Sequence, residues 1–169
     1  MRVIRRLHVA LLSGLVVALL TPAVASAATV SSRYAISGYE YYATSTEGRF
    51  AGTASGSSGD SATWNAVVDH TPLTDTAVIT GGYADLLTSK LVHIHGTLSG
   101  GQVSLAAQEP GCGTQVYAVV GTLTSVTRSD SHRRGTGSFS AMLTHYRTSL
   151  LGSCVVYSAS VTGTIGLSF

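Results

Sequence analysis

Apolar and polar side chains alternate with a period of two from Arg33 to the end of the chain, and the pattern is cleanest in the last segment, CVVYSASVTGTIGLSF. There Val155, Tyr157, Ala159, Val161, Ile165, Leu167 and Phe169 are apolar with Gly163 among them, while the even positions from Ser158 to Ser168 are Ser, Thr or Gly. Successive side chains of a strand point to opposite faces, so this segment predicts a strand with one buried and one wet face. SFSAMLTHYR puts Phe139, Ala141 and Leu143 on one side, with Met142 and Tyr146 on the other, and CGTQVYAVVGTLTSV reads as a long strand of the same kind. Earlier candidates are residues 33–44, 48–56, 61–70, 75–82, 90–100 and 102–108.

Glu47-Gly48, the run from Gly56 to Asp60, Gly81-Gly82, Gly100-Gly101, Pro110-Gly111 and Arg134-Gly135 are turn-forming clusters between these segments. Only Tyr83–Ser89 has the composition of a helical turn. The short spacings predict antiparallel neighbours in sequence order. An all-β, single-domain antiparallel meander follows, closing into a small β-barrel of about eight or nine strands; a β-sandwich is the alternative. Gly38, Gly52, Gly96, Gly121 and Gly163 interrupt the alternation where a sheet would bend, and closure hides the edges that an open sheet exposes.

The start of the chain is different. MRVIRRLH is basic, residues 9–20 are an apolar run, and TPAVASA ends in small side chains, the layout of a secretory signal peptide cleaved after Ala27. The run is too short for a comfortable bilayer span. We therefore expect a signal peptide at 1–27, a flexible tail at 28–32 and a barrel domain at 33–169, secreted and without a membrane segment once cleaved. Arg2, Arg5 and Arg6 leave with the leader, so seven basic side chains then face eight acidic ones. That balance offers no electrostatic attraction for nucleic acid or anionic lipid. Cys112 and Cys154 are the only cysteines, and in an exported chain they predict one disulfide. Strands two apart in a meander lie beyond disulfide reach, so the EPGCG segment must fold over the sheet end to meet Cys154.

Candidate chemistry is sparse. His93 and His95, two apart in LVHIHG, project from one strand face with Leu91 and Thr97, opposite Val92, Ile94 and Leu98. Such a pair can share a metal if a third ligand comes from another strand, with His70 and His145 as the candidates, and a zinc ion with an open position would support hydrolysis. No Glu follows the second histidine at three or four residues, and a solvated outer face is the simpler expectation. His145 falls on the apolar parity of Phe139 and Leu143 and is expected to point inward near a barrel mouth. Residues 129–135 read as a hairpin loop presenting Arg133 and Arg134. Tyr39 and Tyr41 share one strand face, Tyr34 and Tyr42 the other, and Trp64 reads as core. No nucleophile elbow, phosphate-binding loop or dinucleotide fingerprint occurs.

The stretches FAGTASG, SATWNAVVDHTPL, ITGG and CGTQVYAVVGTL, with the segment from Gly135 to Phe169, resemble a group of small exported actinobacterial proteins of unassigned function. That likeness implies export and one disulfide and transfers no catalytic residue. More faintly, Phe50-Ala51-Gly52 and Ile79-Thr80-Gly81-Gly82 are similar to pieces of dirigent and allene-oxide-cyclase-like barrels, without the fuller glycine pattern.

The expected function is a secreted, non-catalytic β-barrel that binds a small ligand or a partner protein outside the cell, with no cofactor. Tyr39, Tyr41, His145, Arg133 and Arg134 are the candidate contacts. The alternatives are a barrel enzyme of cyclase or isomerase type, a zinc-dependent hydrolase using His93 and His95, and a protease-inhibitor-like protein using the 129–135 loop.

Overall fold

Residues 29–169 are described by a computed structural model, so the expected leader and its cleavage site lie outside the described residues. They form eight strands: β1 (Ser31–Ala43), β2 (Glu47–Gly56), β3 (Ser61–His70), β4 (Thr76–Thr88), β5 (His93–Gln108), β6 (Gln115–Arg128), β7 (Ser131–Leu150) and β8 (Ser153–Ser168). Each pairs antiparallel with its neighbour in sequence, and β1 also pairs with β8, which closes the sheet into a barrel and excludes the sandwich.

The alternation decides which side is filled. Tyr34 and Ile36 of β1, Trp64 and Val68 of β3, and Val161, Ile165 and Leu167 of β8 are buried inside, and Leu86, Ile94, Leu123 and Val126 are the largest fully buried side chains. The outer wall is hydroxyl-rich: Thr162, Ser37, Thr53 and Thr63 lie in register across β8, β1, β2 and β3, all exposed. No helix among the described residues is long and apolar enough to cross a membrane.

Several expected boundaries move. Gly81-Gly82 and Gly100-Gly101 are not turns but lie inside β4 and β5, so nine expected strands become eight, and Tyr83–Ser89 supplies most of the second half of β4 rather than a helical turn. The double glycines serve close approach: a Cβ on Gly82 would sit 2.0 Å from the Val67 carbonyl oxygen, and one on Gly101 2.1 Å from that of Val120. The β6–β7 turn is only Ser129-Asp130, and His132 to Arg134 already belong to β7. The 129–135 loop is thus shorter than its composition suggested, because Gly135 packs its Cα against the Ser168 carbonyl instead of turning. The expected tail is also tied down: β1 begins at Ser31, and Val30 and Phe169 exchange backbone hydrogen bonds of 3.0 and 2.9 Å.

A meander places alternate turns at opposite ends. Turns 44–46, 71–75, 109–114 and 151–152 share one end, and turns 57–60, 89–92 and 129–130 share the other with residues 29 and 169. The Cys112–Cys154 disulfide, with a Cα separation of 5.2 Å, marks the first. The 109–114 segment folds over the sheet end as the reach argument required, and Arg147 holds it by donating from Nε to the Gly113 carbonyl at 2.8 Å and from Nη2 to that of Gly111 at 3.3 Å.

Candidate functional site

The interior of the barrel is apolar except near its disulfide end. Glu40 continues the inward row of Tyr34 and Ile36 on β1, and His145 the inward row of Ala141 and Leu143 on β7. Glu40 Oε2 lies 2.8 Å from His145 Nε2, with side chains only 8% and 12% exposed. Gly48 makes room for the acid, since a Cβ there would stand 2.8 Å from both Glu40 Oε1 and the Phe50 ring. The Tyr117 ring meets the His145 ring edge-on at 5.4 Å, and its hydroxyl donates to Gln115 Oε1 at 3.2 Å. Gln115 in turn donates to Gln108 Oε1 at 2.9 Å. Burial pushes the Tyr117 phenol above its ordinary value, so it stays protonated and able to donate.

Beneath this polar layer lies the lumen, lined by Phe50, Trp64, Leu98, Val119, Phe139 and Val161 among others, with no polar lining surface. Trp64 satisfies its indole N–H on the Ser37 carbonyl at 3.1 Å. The free volume there is about 40 Å³. Small-molecule sites occupy roughly 300–1,000 Å³ and place a few convergent polar groups; a void this small and apolar stays dry. A carboxylate–imidazole pair is the arrangement of general acid–base catalysis; here it lies above an apolar lumen with little free volume.

His93 and His95 are at the opposite end, on the outer wall as expected. Their rings converge on the same oxygen, Asp85 Oδ1, at 3.1 Å from His93 Nε2 and 2.8 Å from His95 Nδ1, and the Tyr83 ring lies 6.0 Å from that of His95. The anticipated third ligands do not reach them. His145 points into the far mouth, and His70, on the far end of β3, bonds the Thr71 carbonyl at 2.7 Å. Among the described residues no group of three or more His, Cys, Asp or Glu is placed to hold a metal ion. The pair is bound to a carboxylate that anchors β5 to β4.

The remaining candidates divide between the two ends. Tyr39 and Tyr41 are exposed near the disulfide end, their rings edge-on at 6.4 Å. Tyr42 leaves the inward parity because a bulge between Glu40 and Tyr42 shifts the register, and it is exposed beneath the Arg49 guanidinium at 5.0 Å. Arg133 and Arg134 are exposed at the opposite end, away from the tyrosines and His145, and form no ion pair among the described residues. Arg128, unlike these two, is ion-paired there: it binds Asp130 through two hydrogen bonds of 2.9 and 2.7 Å and lies over the Phe169 ring.

Glu40, Asp85 and the tip of the β7–β8 hairpin are the elements that the chain's pattern did not reveal. Glu40 carried a usable signal, an acid on the apolar parity of its strand. Asp85 carried none, because its segment read as a helical turn. The hairpin tip, Leu151-Gly152, has φ of +50° and +81°. Leu151 is 99% exposed, followed by Val156 at 47% and Tyr157 at 68%. Tyr157 has the buried parity in the sequence, but it is the extra residue of a bulge on β8, opposite Tyr146 and Arg147, and is left unpaired. No protein-family model, no curated protein and no solved structure matches this chain.

Proposed function

We propose that the protein is a non-catalytic barrel that binds a partner protein outside the cell. The observation that carries this reading is the contrast between an apolar interior with only about 40 Å³ of free volume and a disulfide end that leaves Tyr39, Tyr41, Leu151, Val156 and Tyr157 exposed. Exposed apolar side chains gathered at one end of a fold mark interaction sites, and aromatic residues are enriched in the cores of protein interfaces. The disulfide supports an oxidising compartment.

A second reading, an enzyme of isomerase or cyclase type working at the mouth, is favoured by one observation, the Glu40–His145 pair beside Tyr117. It requires the lumen to open for a substrate.

Native mass spectrometry of the protein recovered from culture medium tests both. The expected species is the chain without its first 27 residues, with the disulfide intact and in complex with protein. A retained organic molecule would overturn the first reading in favour of the second. A chain flying alone, with neither, would overturn it outright.

A further inference from the structure

The barrel is closed along most of its length but not all of it. The β1–β8 ladder runs from Ser31↔Ser168 to Tyr39↔Ser160 and stops, although β8 begins at Ser153. Residues 153–159 therefore pair with β7 on one side and with no strand on the other. Where β6 ends its pairing with β7 at Gln115↔His145, the 109–114 segment folds against this projecting hairpin, held by Arg147 of β7 and by the disulfide to Cys154 of β8. The β8 edge itself has no ladder partner from 153 to 159.

An open edge offers a row of unpaired N–H and C=O groups, and proteins that keep such an edge single block it with Lys, Pro or an inward charge. From Thr148 to Ser168 the chain contains no charged residue and no proline. The two-residue turn makes Leu150 and Ser153 a hydrogen-bonded pair, and alternation along the ladder then directs the backbone groups of Cys154 and Val156 to the free side. Leu151 adds a further signal. A bulky side chain at φ +50° is strained and, being fully exposed, gains nothing from the fold of one chain.

We infer that the partner bound at this edge is a second copy of the chain, the two β8 edges pairing antiparallel across a two-fold axis at Val155 so that the sheet continues from one barrel into the next. This rests on the partner-protein reading above and names the partner. A two-fold axis at Val155 sets that residue against its own copy and Cys154 against Val156 of the other chain, so a charge near the axis would approach its like; residues 148–168 carry none. Glu40 is engaged by His145 and Arg147 by the carbonyls of Gly111 and Gly113, so neither opposes the approach. The bulge at Tyr157 limits strand pairing to Ser153–Val156 and leaves Tyr157 exposed as a flank. The absence of a free cation at the tip disfavours an anionic membrane as the occupant.

Sedimentation velocity of the mature chain over a dilution series tests the inference. The wild type should sediment at twice the mass of one chain and fall to one on dilution. Val156→Lys should remain at one chain throughout, while Leu87→Lys, on the wall at the other end, should behave as the wild type. Amide exchange supplies an independent reading, with the Cys154 and Val156 N–H groups protected in the dimer and released on dilution. A wild type at the mass of one chain at every concentration, a dimer that survives Val156→Lys, or one equally lost in Leu87→Lys overturns it. A single-chain mass together with a different protein in the native spectrum would remove the dimer and leave the partner-binding function standing.

Discussion

Glu40 and His145, 105 residues apart in sequence, meet at 2.8 Å across the mouth of the barrel and close its apolar interior with one buried carboxylate–imidazole pair. A half-pair left in that position keeps its desolvation cost and loses its partner. Glu40→Ala or His145→Ala should therefore each lower stability by about 2 kcal/mol. Replacing both with alanine should cost less than the sum of the single losses, because the two sites share one interaction. Urea denaturation midpoints of the four proteins decide it, and additive losses would show that the contact contributes nothing of its own.

The disulfide should stabilise more than any single side chain. Cys112 and Cys154 are 42 residues apart, and closing a loop of that size contributes about 4 kcal/mol in the chain-entropy picture. A Cys112→Ala, Cys154→Ala protein should retain its strands by far-ultraviolet circular dichroism but melt at markedly lower temperature. Amide exchange should rise first in 109–114 and 147–156, the segments the bridge joins.

Close approach between strands makes some glycines irreplaceable and leaves others free. A Cβ on Gly52 would stand 2.0 Å from the Ser37 carbonyl and 2.8 Å from Trp64 Nε1, whereas one on Gly166 meets nothing nearer than 3.7 Å. Gly52→Ala is expected to cost about 2 kcal/mol or more by forcing β1 from β2, and Gly166→Ala to change stability by less than about 0.5 kcal/mol. Tryptophan emission gives a second readout, red-shifted in the first variant only, since Trp64 is buried beside Gly52.

Acid should weaken the fold through three surface carboxyls held below their ordinary values. Asp60 is lowered by hydrogen bonds from Lys90 and Ser58, Asp130 by Arg128, and Glu109 by the backbone N–H of Thr114. A depressed folded value means that the stabilisation is complete above the ordinary carboxyl range and is lost as pH falls through the folded value. Denaturation midpoints should thus decline below about pH 4, and less steeply in Glu109→Gln. An identical pH profile in that variant would show that the Glu109–Thr114 closure of the disulfide loop carries no stability.

Much of the fold was legible along the chain because period two is a local property. The parity of Ile36, Trp64, Ile94, Leu143 and Val161 assigns them to the interior before any pairing is known. The same parity placed His93 and His95 outside and His145 inside, and the two cysteines implied a bridge that only a folded-over 109–114 segment could make. What failed to show depended on neighbours. Gly81-Gly82 and Gly100-Gly101 have turn composition, and only the carbonyls of Val67 and Val120 pressed against them reveal that the strands run straight through.

The sequence by itself determined an alternating, weakly charged β-chain with a bridge near its far end, because side-chain parity and composition act residue by residue. Tertiary structure alone decided that eight strands close, that Glu40 finds His145, that Asp85 takes both outer histidines, and that β8 runs seven residues past its last contact with β1. Those outcomes follow from strand register and shear around the barrel, which bring together residues far apart in the chain.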